Sequence, residues 1–212
     1  MVKIILFDFW GTLADTGVKS PIKQVKEILG ISLPFSEYVL RMEKVMMTKT
    51  FPSLREAFEA VAQEFRVQAS SEQIDELVGM WNKSWMLSKP YEETQMVLVD
   101  LKRDYKLVLL ANTDCFSVEK VLDKFSLRPL FDGMYLSYTT GTLKSEKESF
   151  DKILQELGAC AQECIMVGDS IESDILQAQR AGIRAVLVDR RAYRDFEPKI
   201  ENLHKLKVML ER

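Results

Sequence analysis

The first strand of this chain is the feature that most limits its fold. Residues 2–9 read Val-Lys-Ile-Ile-Leu-Phe-Asp-Phe, without the regular alternation of polar and apolar residues that a half-exposed strand shows. Such a run predicts a strand that is buried on both faces, as in the centre of a parallel sheet. It also contains Asp8, and burying a carboxylate is costly unless it is paired or bound to a metal. The fold must therefore supply partners for Asp8.

Strand and helix patterns alternate in the second half of the chain. Apolar runs predict strands over residues 106–111, 133–137, 163–167 and 184–188. Helical patterns lie between them, including one from Ser145 to Leu157 with a capping box of Ser145 and Glu148, and a final helix begins near Pro198. Alternating βα units indicate an α/β fold with a parallel sheet between two layers of helices. In such sheets, ligands bind beyond the carboxyl ends of the strands.

The segment that follows the first strand has a different character. Residues 15–87 contain consecutive amphipathic helical patterns and no convincing strand, and Ser53 and Ser70 each begin a helix with a capping box. We interpret this segment as an all-helical cap of about four helices. The chain is then one α/β core, residues 1–14 and 88–212, interrupted by a cap of residues 15–87.

Composition excludes several functional classes. With 29 Lys and Arg against 32 Asp and Glu, the net charge is −3, which disfavours nucleic acid as a partner. A single histidine, His204, leaves little material for a catalytic triad or a histidine zinc site. No apolar run approaches the roughly 18–20 residues of a membrane span, and no secretory signal is recognisable. Three cysteines without metal-binding spacing are typical of a reducing cytoplasm, where we expect this protein.

Polar residues collect where the predicted strands end. Asp8 ends the first strand, Asn112 follows the second, and Asp169 and Asp174 follow the strand at 163–167. Carboxylates brought to one sheet edge repel each other unless a cation lies between them, and oxygen ligands of this kind suit Mg²⁺. Lys144, just before a predicted helix, adds positive charge. The pattern therefore predicts a hard-metal site beside a pocket for a phosphate-sized anion.

These residues, in this order, resemble the four motifs of the haloacid dehalogenase superfamily of hydrolases, and the resemblance covers the whole chain. It implies a Rossmann-like core with an inserted helical (C1-type) cap. It further implies that Asp8 is a nucleophile that forms an aspartyl intermediate, that Thr12 orients it, and that Lys144 neutralises the transferring group. The ligands implied for Mg²⁺ are Asp8, the backbone carbonyl of Trp10, Asp169 and Asp174. The implied reaction is hydrolysis of a small phosphorylated substrate.

Two positions depart from the pattern of the family's phosphatases. Trp10 stands where those enzymes carry a second Asp, the general acid/base, and Ala111 stands where they carry Ser or Thr. General acid–base catalysis typically contributes about 10²–10⁴-fold, so its loss would slow ordinary phosphate esters by a comparable factor. Thr113 has a hydroxyl, but it lies two positions further on. Trp10, Asn112 and Arg41 are the candidates for substrate contacts.

Other functions remain open at this point. The dehalogenase branch also has an aromatic residue at the position of Trp10, and Arg41 falls where that branch carries an anion-binding arginine. That branch lacks the metal motif, however, which this chain retains in Asp169 and Asp174. A phosphonate hydrolase would need a Schiff-base lysine from the cap, for which Lys44 and Lys49 are available. A binding or regulatory protein without turnover is a further alternative, and the sequence leaves monomer and homodimer open.

Overall fold

The computed structural model describes residues 1–146 and 148–210, and a six-stranded sheet lies at its centre. Its strands are β1 Ile4–Phe7, β4 Lys106–Ala111, β5 Gly133–Leu136, β6 Cys164–Gly168, β7 Arg184–Val188 and β8 Lys199–Ile200. Every pair of neighbouring strands runs parallel, in the order β5-β4-β1-β6-β7-β8. The first strand is central and completely buried, as its apolar run predicts.

Helices cover both faces of the sheet, because alternate residues of each strand point to opposite faces. Ile5 and Phe7 of β1 pack in one apolar cluster, and Ile4 and Leu6 pack in another. The helices of the core are α5 Thr94–Leu101, α6 Val118–Lys124, α7 Ser137–Thr140, α8 Ser149–Leu157, α9 Leu176–Arg180 and α10 His204–Leu210. Residues of α5, α6 and α10 share the first cluster, while residues of α8 and α9 share the second. The predicted three-layer α/β fold is confirmed.

Two predicted helix starts are wrong. α8 begins at Ser149 rather than Ser145, and its N-cap residue Glu148 makes no side-chain capping bond. The last helix begins at His204 rather than near Pro198, because Lys199 and Ile200 pair with β7 and extend the sheet by one short strand. A two-residue strand is too short to show a periodicity, which is why the sequence pattern does not reveal it.

The segment between β1 and α5 contains four helices with a core of their own, which we call the cap. The helices are α1 Pro21–Ile28, α2 Phe35–Met46, α3 Leu54–Glu64 and α4 Ser71–Met86. Tyr38, Phe58 and Trp81 are buried among their apolar side chains, and the Tyr38 hydroxyl donates a 2.8 Å hydrogen bond to the Ile22 carbonyl. Ser70 forms the predicted capping box with Gln73 at the start of α4.

A short antiparallel ribbon lies where the chain leaves and re-enters the core. Its strands are β2, Ala14–Asp15, and β3, Lys89–Pro90, in which Ala14 pairs with Pro90 and Asp15 with Lys89. The ribbon stands beside the boundaries that the sequence predicts between core and cap. Among the described residues, no helix combines the length and the hydropathy required to cross a bilayer.

Candidate functional site

The centre of the sheet brings together the polar residues predicted at the strand ends. Asp8 follows β1, Asn112 follows β4, and Asp169 follows β6, which are the three adjacent central strands. Lys144 reaches the same place from the loop before α8, and Asp174 reaches it from a π-helical turn at Ile171–Ile175. All five line one cavity of about 830 Å³ between the core and the cap. A cavity of this size suits a small molecule.

Asp8 is buried, and different partners hold its two carboxylate oxygens. The Thr12 hydroxyl donates a hydrogen bond to Oδ2 at 3.2 Å, and the Lys144 ammonium lies 2.5 Å from Oδ1. Burial raises the pKa of Asp8 to about 6; Asp174 acts in the same direction and Lys144 opposes it. The side chain is thus held in one orientation where it lines the cavity.

Lys144 is buried between two carboxylates. Its Nζ lies 2.5 Å from both Asp8 Oδ1 and Asp174 Oδ1, and its backbone N–H donates to Asn112 Oδ1 at 2.9 Å. Burial alone would lower the pKa of this ammonium, but Asp174 and Asp8 outweigh it, so the pKa of Lys144 is raised. Lys144 is therefore a permanent positive charge beside Asp8, and Asn112 fixes the loop that carries it.

Asp8, Asp169 and Asp174 each offer an oxygen within 4.8 Å of the others. Burial, and then the charges of Asp8 and Asp174, raise the pKa of Asp169 to about 8. One ammonium does not neutralise three clustered carboxylates, so the group has the charge and the oxygen chemistry that a Mg²⁺ ion requires. Trp10 lines the same cavity in the turn after Asp8, and the role of its carbonyl as a ligand stays a prediction.

Two glycines leave room for these carboxylates. A Cβ atom on Gly168 would lie 2.3 Å from Asp174 Oδ2, and one on Gly11 would lie 2.3 Å from Asp169 Oδ2. Gly11 also has a φ of +78°, which favours glycine. At both positions the backbone lies so close to a carboxylate of the cluster that there is no room for a side chain.

We expect Gly168→Ala to weaken Mg²⁺ binding by about 10–100-fold, because the new methyl group displaces Asp174 and so disturbs the geometry of the cluster. The affinity can be measured by calorimetry on the folded protein. Gly79→Ala is the matched control, because nothing lies within 4 Å of its added Cβ in α4, and it should raise the free energy of unfolding by up to about 1 kcal/mol. Unchanged Mg²⁺ affinity in Gly168→Ala would contradict this account of the cluster.

The pKa of Asp169 also predicts how metal stabilisation depends on pH. The unfolded chain loses this proton near 3.8, while the folded protein keeps it until about 8. The folded state therefore binds more protons between these values, and the free energy of unfolding of the metal-free protein falls as pH rises. Since Mg²⁺ must displace bound protons, we expect it to raise Tm more at about pH 8.5 than at about pH 5.5. In Asp169→Asn, the free energy of unfolding without metal and the rise in Tm caused by Mg²⁺ should both depend less on pH. If Mg²⁺ raised the Tm of the unaltered protein equally at both pH values, that result would argue against the site.

Arg41 does not reach this cavity, although the sequence suggests it for substrate binding. Its guanidinium donates to Glu64 Oε1 at 2.8 Å and lies 4.9 Å from the centroid of the Phe65 ring, at a separate cavity lined by cap residues. Lys44 pairs with Glu146 at 2.5 Å, and Lys49 lies over the Phe51 ring. Within the described residues, none of these three cations lines the cavity above Asp8.

The cap contributes a residue that the sequence does not single out. Glu43 of α2 lines the cavity, and its Oε2 accepts a hydrogen bond from Asn112 Nδ2 at 2.9 Å. Asn112 thus contacts the cap through its nitrogen and the Lys144 loop through its oxygen. The Thr113 hydroxyl donates to the Asp114 carbonyl, so it does not replace the hydroxyl missing at Ala111.

Arginines from the loop after β7 complete the rim of the cavity. The guanidinium of Arg190 binds Glu93 and the Thr12 carbonyl, and it stacks on the Tyr91 ring at 3.6 Å. Arg194 donates to the backbone carbonyl of Asp169. No periodicity or motif marks these positions in the sequence. Only the order of strands in the sheet brings the end of β7 beside that of β6.

Known proteins share the sequence features of this chain. A family model described as haloacid dehalogenase-like hydrolase matches residues 5–188. A glyceraldehyde 3-phosphate phosphatase from Methanocaldococcus jannaschii is 27% identical in an alignment of 207 residues that covers 93% of this chain and 89% of that protein. A protein of the same name from Methanothermobacter thermautotrophicus is 29% identical over 109 residues. This second match spans 51% of this chain and about half (48%) of that protein.

Solved structures share the fold. A 2-haloacid dehalogenase from Pseudomonas syringae superposes with a TM-score of 0.66 at 20% identity, over 100% of this chain and 99% of that one. A haloacid dehalogenase family enzyme from Bacteroides thetaiotaomicron, in complex with magnesium and inorganic phosphate, superposes with a TM-score of 0.63 at 22% identity, over 93% of this chain and 98% of that one. At these identities the superpositions establish the architecture alone.

Proposed function

This chain belongs to the haloacid dehalogenase-like hydrolase family, and we propose that within it the chain is a Mg²⁺-dependent phosphatase of small phosphorylated metabolites. The observation that carries the proposal is the cluster of Asp8, Asp169 and Asp174 with Lys144 at the bottom of one cavity. Two relatives that align with nearly the whole chain are named glyceraldehyde 3-phosphate phosphatase, and the substrate in that name has three carbons. We also expect a cytoplasmic location, in keeping with the sparse cysteines.

The residues of the site divide the reaction among them. Asp8 attacks phosphorus through one carboxylate oxygen, while Thr12 and Lys144 hold that carboxylate in line with the phosphoryl group. Lys144 also offsets the negative charge of the transferring oxygens. Water then hydrolyses the aspartyl phosphate and regenerates Asp8. Mg²⁺, when bound by Asp8, Asp169 and Asp174, supplies Lewis-acid charge at the phosphoryl oxygens.

The location of Arg41 favours phosphoryl transfer over carbon–halogen cleavage. A dehalogenase site needs a cation for the halide and the carboxylate of its substrate, but Arg41 is paired with Glu64 away from the cavity. Three clustered carboxylates without a metal would also repel an anionic haloacid. The dehalogenase structure among the neighbours shares the fold with this chain, and a shared fold does not decide chemistry.

The shape and charge of the cavity favour a small anionic substrate. Its volume is about 830 Å³, which is within the range of ordinary metabolite sites. Lys19 and Lys23 line it from the start of the cap, and Arg190 and Arg191 line it from the loop after β7. These cations at the rim would attract a phosphate ester and guide it towards the metal.

A panel of phosphate esters, assayed with Mg²⁺ and with a chelator, tests the proposal, and 2-haloacids are assayed in parallel for halide release. We expect Mg²⁺-dependent release of phosphate and no halide. Calorimetric titration with Mg²⁺ provides a readout that is independent of turnover. Metal-independent halide release would establish the dehalogenase alternative instead. Mg²⁺ binding without turnover of any ester would favour a binding or regulatory protein.

A further inference from the structure

Trp10 leaves the proposed phosphatase without an acid at the usual position. An indole ring does not exchange protons near neutral pH, and its side chain packs edge-on against Phe9 with ring centroids 4.9 Å apart. Hydrolysis of an alkyl phosphate nonetheless expels an alkoxide, which needs a proton as the P–O bond breaks. The proton must therefore come from another group in the cavity.

Four carboxyl groups outside the metal cluster line the described part of the cavity, and three of them are poorly suited. Asp114 accepts hydrogen bonds from the Phe116 N–H, the Ser117 hydroxyl and the Trp81 indole, which occupy both of its oxygens and hold it in place. Asp189 accepts from the Arg194 N–H at 2.7 Å, and Asp15 is exposed on the ribbon. The fourth carboxyl group is Glu43.

Among residues 1–146 and 148–210, one hydrogen bond holds the Glu43 side chain in the cavity. Its Oε2 accepts from Asn112 Nδ2 at 2.9 Å. Within the described residues, no cation forms an ion pair with its carboxylate. The adjacent Lys44 pairs with Glu146 instead. This Lys44–Glu146 contact joins α2 to the loop that carries Lys144, beside Glu43. The Glu43 carboxyl thus lies at the boundary between cap and core. Its other oxygen is available to bind a proton or a ligand.

The surroundings of Glu43 suit a group that gains and loses a proton near neutral pH. Among the described residues, the charged side chains that act on it from the core include Asp8, Lys144 and Asp174, and Asn112 is a neutral partner. Burial raises the pKa of Glu43 to about 7; Asp174 and Asp8 add to the rise, while the bond from Asn112 and the charge of Lys144 oppose it. An acid or base is most effective when its pKa lies near the working pH.

We propose that Glu43, from the cap, is the general acid/base of this enzyme and takes over the role that Trp10 cannot perform. In the first step Asp8 forms a bond to phosphorus, the ester P–O bond breaks, and the Glu43 carboxyl gives its proton to the departing oxygen. In the second step the Glu43 carboxylate takes a proton from the water that attacks the aspartyl phosphate. The Asp8–phosphorus bond breaks, and Glu43 is again protonated. This inference rests on the proposed phosphatase function.

With Glu43 as the acid/base, catalysis depends on the position of the cap. Asp8, Asp169 and Lys144 are placed by the core, whereas Glu43 reaches the site from α2 of the cap, which contacts the core at Asn112. Substrates that hold the cap against the core would therefore be turned over, while water reaching an open site would not be activated.

Glu43→Gln tests the assignment, because glutamine can accept the same hydrogen bond from Asn112 but cannot transfer a proton. We expect kcat/KM for an alkyl phosphate such as glycerol phosphate to fall by about 10²–10⁴-fold. For 4-nitrophenyl phosphate, whose leaving group needs no proton, the fall in kcat/KM should be below about 10-fold. We expect the activity of the unaltered enzyme to fall at alkaline pH, as the acid loses its proton, and this fall should disappear in Glu43→Gln and persist in Glu43→Asp. Glu37→Gln, on the same helix and outside the cavity, is the control.

A second substitution separates proton transfer from positioning. Adding Trp10→Asp to Glu43→Gln should restore activity on the alkyl phosphate, because it returns a carboxyl to the usual position. An equal loss on both substrates, or unchanged kcat/KM in Glu43→Gln, would overturn the role of Glu43 while leaving the phosphatase intact. If the unaltered enzyme hydrolyses neither ester, it is the proposed function that fails. Should Glu43→Gln lower Tm, the alkaline loss of activity in Glu43→Asp still decides the question.

Discussion

Replacing Asp8 with Asn is expected to lower kcat for phosphate-ester hydrolysis by about 10⁴–10⁶-fold, the scale on which removing a nucleophile acts in other enzymes. The amide has the shape of the carboxylate but does not attack phosphorus. The folded protein should not lose stability, because burial already raises the pKa of Asp8 to about 6 and so disfavours its charge. Removing that charge therefore relieves repulsion from Asp174. Rates under saturating substrate and thermal melts without metal check both parts.

A phosphoenzyme measurement makes the same test independent of turnover. Rapid acid quenching should trap a phosphorylated carboxylate in the unaltered protein and none in Asp8→Asn. The matched control is Asp104→Asn, at an exposed turn after α5, which should leave kcat unchanged. Retention of full activity in Asp8→Asn would show that the nucleophile has been misassigned.

The largest expected effect on stability is that of Lys144→Met. Methionine has nearly the same length, but it leaves Asp8 and Asp174 without the ammonium that lies 2.5 Å from each of them. Removing one partner of a buried ion pair typically costs about 3–5 kcal/mol, because the remaining charge is uncompensated. For a chain of this size, each kcal/mol lowers Tm by about 2–4 °C. We also expect kcat to fall by about 10²–10³-fold through loss of charge stabilisation.

The pH dependence of this loss identifies its cause. The pKa of Asp8 is raised to about 6 with Lys144 present, and losing the cation raises it further. A raised carboxyl pKa contributes stability that is present at low pH and lost as pH rises through the folded value. The deficit of Lys144→Met should therefore be smaller at about pH 5 than at about pH 8. Lys152→Met, exposed on α8, is the control, and a deficit independent of pH would indicate lost packing instead of uncompensated charge.

The site residues whose position depends on topology alone could be predicted from the sequence. Asp8, Asn112 and Asp169 each follow a strand with an unmistakable apolar run, and parallel strands deliver their ends to one edge of the sheet. No knowledge of side-chain packing is needed to predict that these residues meet. The contact of Thr12 with Asp8 follows only from the resemblance to a known family, whereas the position of Lys144 before a predicted helix also indicates a positive charge at this site.

The cap residues of the site could not be predicted in this way. Arg41 and Glu43 are two positions apart on α2, which turns the second side chain by roughly 200° relative to the first. The face of α2 that meets the core depends on how the whole cap docks, and no periodicity within the helix encodes it. Arg41 therefore lies at another cavity, bound to Glu64, while Glu43 faces Asn112.

The antiparallel ribbon of β2 and β3 holds the two ends of the cap segment side by side. Ala14 pairs with Pro90, so the two points at which the core is interrupted are neighbours in space. The segment between β2 and β3 therefore connects two neighbouring points of the core, as the loop of a hairpin does. The entropic cost of closing such a loop grows only with the logarithm of its length. Segments of other lengths and sequences can therefore be exchanged at this junction while the sheet and its carboxylates are retained. Such an exchange would keep the carboxylates and Lys144 of the core but remove Glu43, so the acid/base would change together with the cap residues that line the cavity.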